Sequence, residues 1–73
     1  MNEDLPRRFQ LVRIVDVSGV SGTGVVADGI EWPDGTVVIR WRGSVPSTAC
    51  WASTKAAMTV HGHNGATVLE WID

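Results

Sequence analysis

Cysteine occurs once in this chain of 73 residues, at Cys50, and tyrosine is absent. A single thiol excludes an internal disulfide and any zinc centre built from several cysteines. No apolar run approaches the ~18 residues needed to span a bilayer as a helix. The N-terminal stretch Met1-Asn2-Glu3-Asp4-Leu5-Pro6 has neither a basic start nor an apolar run, so no secretory signal is legible in it. A reducing cytoplasm is the expected address. Charge is also scarce, at 19% of residues with a formal net charge of −2. That balance disfavours non-specific attraction to nucleic acid or to an anionic membrane.

Apolar residues make up 44% of the chain and tryptophan occurs four times. Each indole can bury ~150–250 Å², which lets a small core suffice. The expected stability is still only roughly 4–11 kcal/mol for a domain of this size. The chain reads as a flexible N-terminus over 1–6 and a single small domain over 7–73.

The pattern is mostly β. Arg8 to Val17 reads as a strand whose phase breaks, because Phe9, Leu11, Val15 and Val17 share one parity while Val12 and Ile14 hold the other. A bulge near Arg13, or burial on both faces, reconciles the two. Gly24 to Trp32 reads as a second strand with Val26 and Ile30 in phase and Asp28-Gly29 as an expected bulge or bend. Pro33-Asp34-Gly35 has the chemistry of a hairpin tip. Thr36 to Arg42 then alternates, with Val37, Ile39 and Trp41 on one side. Thr48 to Ala52 is a short fourth strand carrying Cys50 or Trp51 inward. Ser53 suits a helix N-cap, Thr54 to His61 a helix with Ala57, Val60 and Met58 toward the core, and Gly62 a left-handed C-terminal stop. Ala66 to Ile72 is the last strand, with Thr67, Leu69 and Trp71 on one side. This order predicts a small five-stranded SH3-like barrel with one short helix before the last strand; an OB-fold would place its helix one strand earlier.

The chain resembles a group of small proteins encoded by actinobacteriophages, actinobacteria and haloarchaea. The likeness runs through Phe9-x-Leu11-x-Arg13, Asp16-x-Ser18-Gly19-Val20-Ser21-Gly22-Thr23-Gly24 and Val26-Ala27-x-Gly29. It continues through Asp34-Gly35, Trp41, Pro46-Ser47-Thr48 and Ser53, and closes with His61-Gly62-His63-x-Gly65-x-Thr67 and Trp71. The segment Thr54 to Thr59 departs from the group, which is acidic there. The resemblance implies a phage-type or actinobacterial origin and brings no activity with it.

Candidate sites follow from residue chemistry. His61 and His63 are two apart, a spacing that ligates metal on a strand, with Cys50, Glu70 or Asp73 as the nearest helpers. Flanking glycines favour a turn instead, so neither a metal nor another cofactor is expected. The stretch Ser18 to Gly24, with Ser21 and Thr23, has the glycine content of a phosphate cradle. It lacks the Gly-Lys-Ser/Thr ending and precedes a strand, so it reads as a connection that can carry a binding loop. Among Trp32, Trp41, Trp51 and Trp71, Trp32 stands beside a turn and is the expected exposed indole, Trp41 and Trp71 are expected in the core, and Trp51 is undecided. Arg40 and Arg42 share a face, which Arg7, Arg8 and Arg13 can join. They form either a small nucleic-acid patch or a solvated face paired with Asp16, Glu31 or Glu70. No nucleophile elbow and no signature around Cys50 supports catalysis. The expected role is a non-enzymatic phage-type module binding an unidentified host or viral protein, with a nucleic-acid-binding barrel and a metal site at His61 and His63 as alternatives. Self-association into a homodimer is a further expectation, because edge strands and spare aromatics invite it.

Overall fold

The computed structural model describes residues 4–16, 19 and 22–73. Five strands, β1 (Arg7–Arg13), β2 (Gly24–Glu31), β3 (Val37–Trp41), β4 (Ser47–Trp51) and β5 (Thr67–Trp71), form one antiparallel sheet in the order β4-β3-β2-β1-β5. One helix, α1 (Thr54–His61), and a single 3-10 turn (His63–Gly65) connect β4 to β5.

Local chemistry sets the connections. Trp32 and Thr36 close the β2–β3 hairpin through Trp32 N–H donating to the Thr36 carbonyl at 2.9 Å. Gly35 supplies φ 93°, and Asp34 accepts from the Thr36 amide and hydroxyl. Ser53 is extended, and its hydroxyl accepts from Ala56 N–H at 3.0 Å, so it caps α1. Beyond the helix, His63, Asn64 and Gly65 all take positive φ, and Thr67 N–H donates back to the Gly62 carbonyl at 3.0 Å. That reversal is tight enough to start β5 beside β1.

One face of the sheet meets the helix. Phe9, Leu11, Ala27, Val37, Ile39 and Ala57 are fully buried there, with Val26, Trp41, Trp51, Met58 and Leu69 packed around them. Each large aliphatic or aromatic side chain in such a core stabilises by ~1.5–3 kcal/mol. Small residues occupy the middle of β2 because their neighbours are large. Ala27 lies between Leu11 and Trp41, and Gly29 lies between Phe9 and Ile39. A Cβ on Gly29 would collide with the Phe9 ring.

Several expectations are corrected. The sheet does not close into a barrel: β4 and β5 are its two edges, and α1 packs against both, filling the space that closure would need. The bulge lies in β2, not near Arg13: register shifts between Leu11 and Val12, with Val26 as the extra residue, while β1 runs in register against β5. At Asp28-Gly29 the ladder runs in register without a bulge, since that glycine makes room for a ring. Val26 and Ile30 do not share a face: Val26 joins the core at the bulge, whereas Ile30 is exposed on the opposite face. Val60 points to solvent, and Gly62 has right-handed φ (−74°), the left-handed residues falling one to three positions later. Trp51 turns inward and Cys50 outward.

Candidate functional site

The sheet face opposite α1 is uncovered. Strand register arranges its side chains in two rows. The first row, read from β4 to β5, is Thr48, Arg40, Asp28, Gln10 and Glu70. The second is Cys50, Val38, Ile30, Arg8 and Ile72, the last joined through Ile72 N–H to the Arg8 carbonyl at 2.9 Å. The first row is polar throughout. The second is apolar apart from Arg8, with Ile30 39% and Ile72 49% exposed. Between them lies a concavity of about 460 Å³ floored by the Phe9 and Gly29 strands and walled by Ile30, Val38, Ile72 and Thr48.

Charges on this face are ordered in pairs. Arg8 grips Asp73 through Nε at 2.9 Å and Nη2 at 2.7 Å, and its backbone N–H donates to the same carboxylate. The hydrogen bonds from Arg8 hold the Asp73 carboxyl down at about 2. Arg42 forms a second two-pronged pair with Asp28, both bonds at 2.9 Å. The Asp28 carboxyl is lowered chiefly by that bond, against some desolvation, with help from Arg42's charge and from Gln10. Arg40 and Glu70 take part in no ion pair among the described residues.

Arg40 and Arg42 do lie on one face, as their spacing implies, but Asp28 engages Arg42. Arg7 leaves them: it sits on the helix side, 3.9 Å from Glu31, with its guanidinium carbon 3.9 Å from the centre of the Trp71 ring. Trp71 is 40% exposed at the border of the core and meets Phe9 edge-on at 5.4 Å. Trp32 is 39% exposed, as its place beside a turn implies.

His61 packs against two indoles. It is wedged on the helix side between Trp41, 4.7 Å away, and Trp51, 5.3 Å away. Burial lowers its pKa, with a smaller contribution from His63. His63 is exposed, in the turn. Among the described residues no three His, Cys, Asp or Glu side chains gather as a metal-holding group. Ser21 lies outside the described residues, and Thr23 is exposed. The glycine-rich stretch does meet an anion, but an internal one. Asp16 accepts from the backbone N–H of Gly19 at 3.1 Å and of Gly22 at 2.6 Å. Two amides of the would-be cradle are thereby occupied.

Ile30, Val38, Ile72 and Thr48 escape a reading of the sequence because each looks unremarkable within its own strand. Only inter-strand register brings them together. The Pro33-Asp34-Gly35 turn fixes Ile30 opposite Val38, so that half of the row is deducible; the adjacency of β5 to β1 is not.

Among the described residues no helix is long and apolar enough to cross a membrane. Comparison with the curated proteins and with the solved structures gave no match. A family model does match, over residues 6–73, described as Acb5 phage protein. With nearly the whole chain covered, the protein belongs to the Acb5 phage protein family.

Proposed function

We propose that this chain is a phage accessory protein that acts without catalysis, as a binding module in the host cytoplasm that presents its uncovered sheet face to a protein. The observation that carries this reading is the second row of that face. Antiparallel sheets commonly alternate apolar-in and polar-out when one face is solvated. Here Val38 and Ile30 break the alternation side by side, and Ile72 does so beyond Arg8, around a concavity of about 460 Å³. Arginines and carboxylates flank them, which is the anatomy of a protein-binding patch with an apolar centre and polar rim. The face is charge-balanced by the Arg8–Asp73 and Arg42–Asp28 pairs, which favours a protein over a polyanion.

The test compares capture from phage-infected cells by the wild-type chain, by Ile30→Lys/Ile72→Lys and by the helix-side control Val60→Lys. A protein retained by wild type and by the control, and lost with the double variant, supports the reading. Equal retention by all three, or no specific retention by wild type, refutes it.

A further inference from the structure

The open face has a symmetry of charge that one copy cannot use. In the polar row, Arg40 stands on β3 and Glu70 on β5, with Asp28 and Gln10 between them. Every other charged side chain on or beside this face has a partner within the chain: Arg8 with Asp73, and Arg42 with Asp28. Among the described residues Arg40 and Glu70 do not. They lie three strand spacings apart, about 14 Å, too far to meet. The face as a whole carries three arginines and three carboxylates and is neutral.

We propose that a second copy of this chain covers the open face, in a two-fold pairing that matches Arg40 of each copy with Glu70 of the other. The inference rests on the reading of this face as the binding face and names its occupant. A two-fold axis parallel to the strands, lying over the gap between β2 and β1, exchanges β3 with β5 and β2 with β1. The polar row then sets Arg40 over Glu70 and Asp28 over Gln10. The apolar row sets Val38 over Ile72 and Ile30 over the aliphatic stem of Arg8. Each contact occurs twice, as an isologous interface requires. Sheets stacked this way lie ~10 Å apart, with mean strand directions within about 30° of each other. Ile72 and Arg8 of one copy then occupy the hollow beside Val38 and Ile30 of the other. No other register with the axis along the strands gives Arg40 and Glu70 to each other.

The area sets the expected strength. The four strands that overlap, β3, β2, β1 and β5, at about 4.8 Å and five residues at about 3.4 Å give a plane of about 19 by 17 Å, or roughly 330 Å² per copy. That is less than half the ~800 Å² per partner of a standard interface, so the dimer is a weak, transient one, expected in the high-micromolar range.

The experiment is sedimentation of the full chain from about 5 to 500 µM under reducing conditions, a range that brackets such an affinity. The samples are wild type, Arg40→Glu, Glu70→Arg, an equimolar mixture of those two, and the double variant Arg40→Glu/Glu70→Arg. Both positions are exposed, and circular dichroism verifies the fold of each variant. Wild type is expected to dimerise. Each single variant converts two attractions into two repulsions and is expected to weaken the dimer about tenfold or more. The mixture and the double variant are each expected to recover it, because both restore opposite charges at both contacts. A wild type that is monomeric to the top of the range overturns the proposal. So does a dimer indifferent to the single variants, or a mixture that fails to recover. These outcomes are separable from failure of the module reading. A monomeric chain that still retains a partner sinks only the self-pairing, and a charge-dependent dimer that retains no other protein sinks only the heterologous partner.

Discussion

Gly29→Ala is the smallest change that should damage this fold, and its cost follows from two opposed effects. In a strand interior, replacing glycine by alanine gains roughly 0.5–1 kcal/mol by restricting the unfolded chain. At Gly29 φ is not in the left-handed region, so no backbone strain opposes the change. The opposing effect is steric. The new Cβ would fall on the edge of the Phe9 ring, against its Cε1 and Cζ atoms. That ring has no room to retreat: Phe9 is fully buried, paired with Gly29 on one side and Trp71 on the other, and packed edge-on to the Trp71 indole. Overpacking of this kind costs ~1–3 kcal/mol, and here both a ring and a strand must shift, which sets the upper part of that range. The net destabilisation is then about 1–2.5 kcal/mol, a large share of the roughly 4–11 kcal/mol expected for the whole chain.

Equilibrium denaturation in urea measures it, with Phe9→Leu and the double variant completing a cycle. Phe9→Leu alone removes ring volume and destabilises. In the double variant the Cβ enters space the ring has vacated, so the two penalties should fall short of additivity by about 1 kcal/mol or more. If Gly29→Ala is neutral or stabilising, or if the penalties simply add, the close approach of ring to backbone does not exist as described.

Three further outcomes are expected. Ser53→Ala removes the α1 cap and should cost about 1 kcal/mol in denaturant unfolding, whereas Ser53→Asp, which keeps an acceptor for Ala56 N–H, should cost little. His61 has a folded pKa below its ordinary 6.5, because burial between Trp41 and Trp51 penalises the cation. The unfolded chain therefore binds more protons just below pH 6.5, and the melting temperature should fall as pH drops from 7.5 through that window. In His61→Gln that slope should flatten; an unchanged slope would assign it to other groups. The Asp73 carboxyl, held at about 2 by Arg8, contributes stability that is present above its ordinary 3.8 and lost as pH falls toward 2. Acid titration of Asp73→Asn should lack that part of the loss.

Legibility in the sequence followed the range of the interactions. The β2–β3 hairpin, the Ser53 cap, the helix extent and the helix-before-last-strand order were readable because each is decided within a few residues, by Pro33-Asp34-Gly35 or by Ser53 and Ala56. The closure of the sheet was not, because whether β4 meets β5 depends on what lies between them, and α1 occupies that place. Gly29 read as a bend because a glycine in a strand is ambiguous until the residue facing it is known; Phe9 lies twenty positions earlier. The same limit governed the site. Arg40 and Trp32 were identifiable as exposed from their own neighbourhoods, yet Asp28 as the partner of Arg42 required the alignment of β2 against β3. His61 and His63 read as a pair because they are adjacent in sequence, while the indoles that hold His61 come from β3 and β4.

An eight-residue helix explains why this protein has a face to spare. A two-layer domain buries one side of its sheet against the helix and leaves the other to water. Leaving it to water costs little when the outward residues are polar, and the row from Thr48 to Glu70 meets that condition at every strand. The neighbouring row does not, although nothing in the fold prevents it. Val38, Ile30 and Ile72 are not part of the core beneath α1, and Ile30 and Ile72 are exposed. Three apolar residues, from β3, from β2 and from the position just past β5, fall on the same line across the sheet. If the row served only to face solvent, Ile30→Thr/Ile72→Thr should leave stability within about 0.5 kcal/mol and every association unchanged. If the row completes its burial against another surface, the same variant should keep its fold and lose that association, which separates a surface kept for binding from one that is merely apolar.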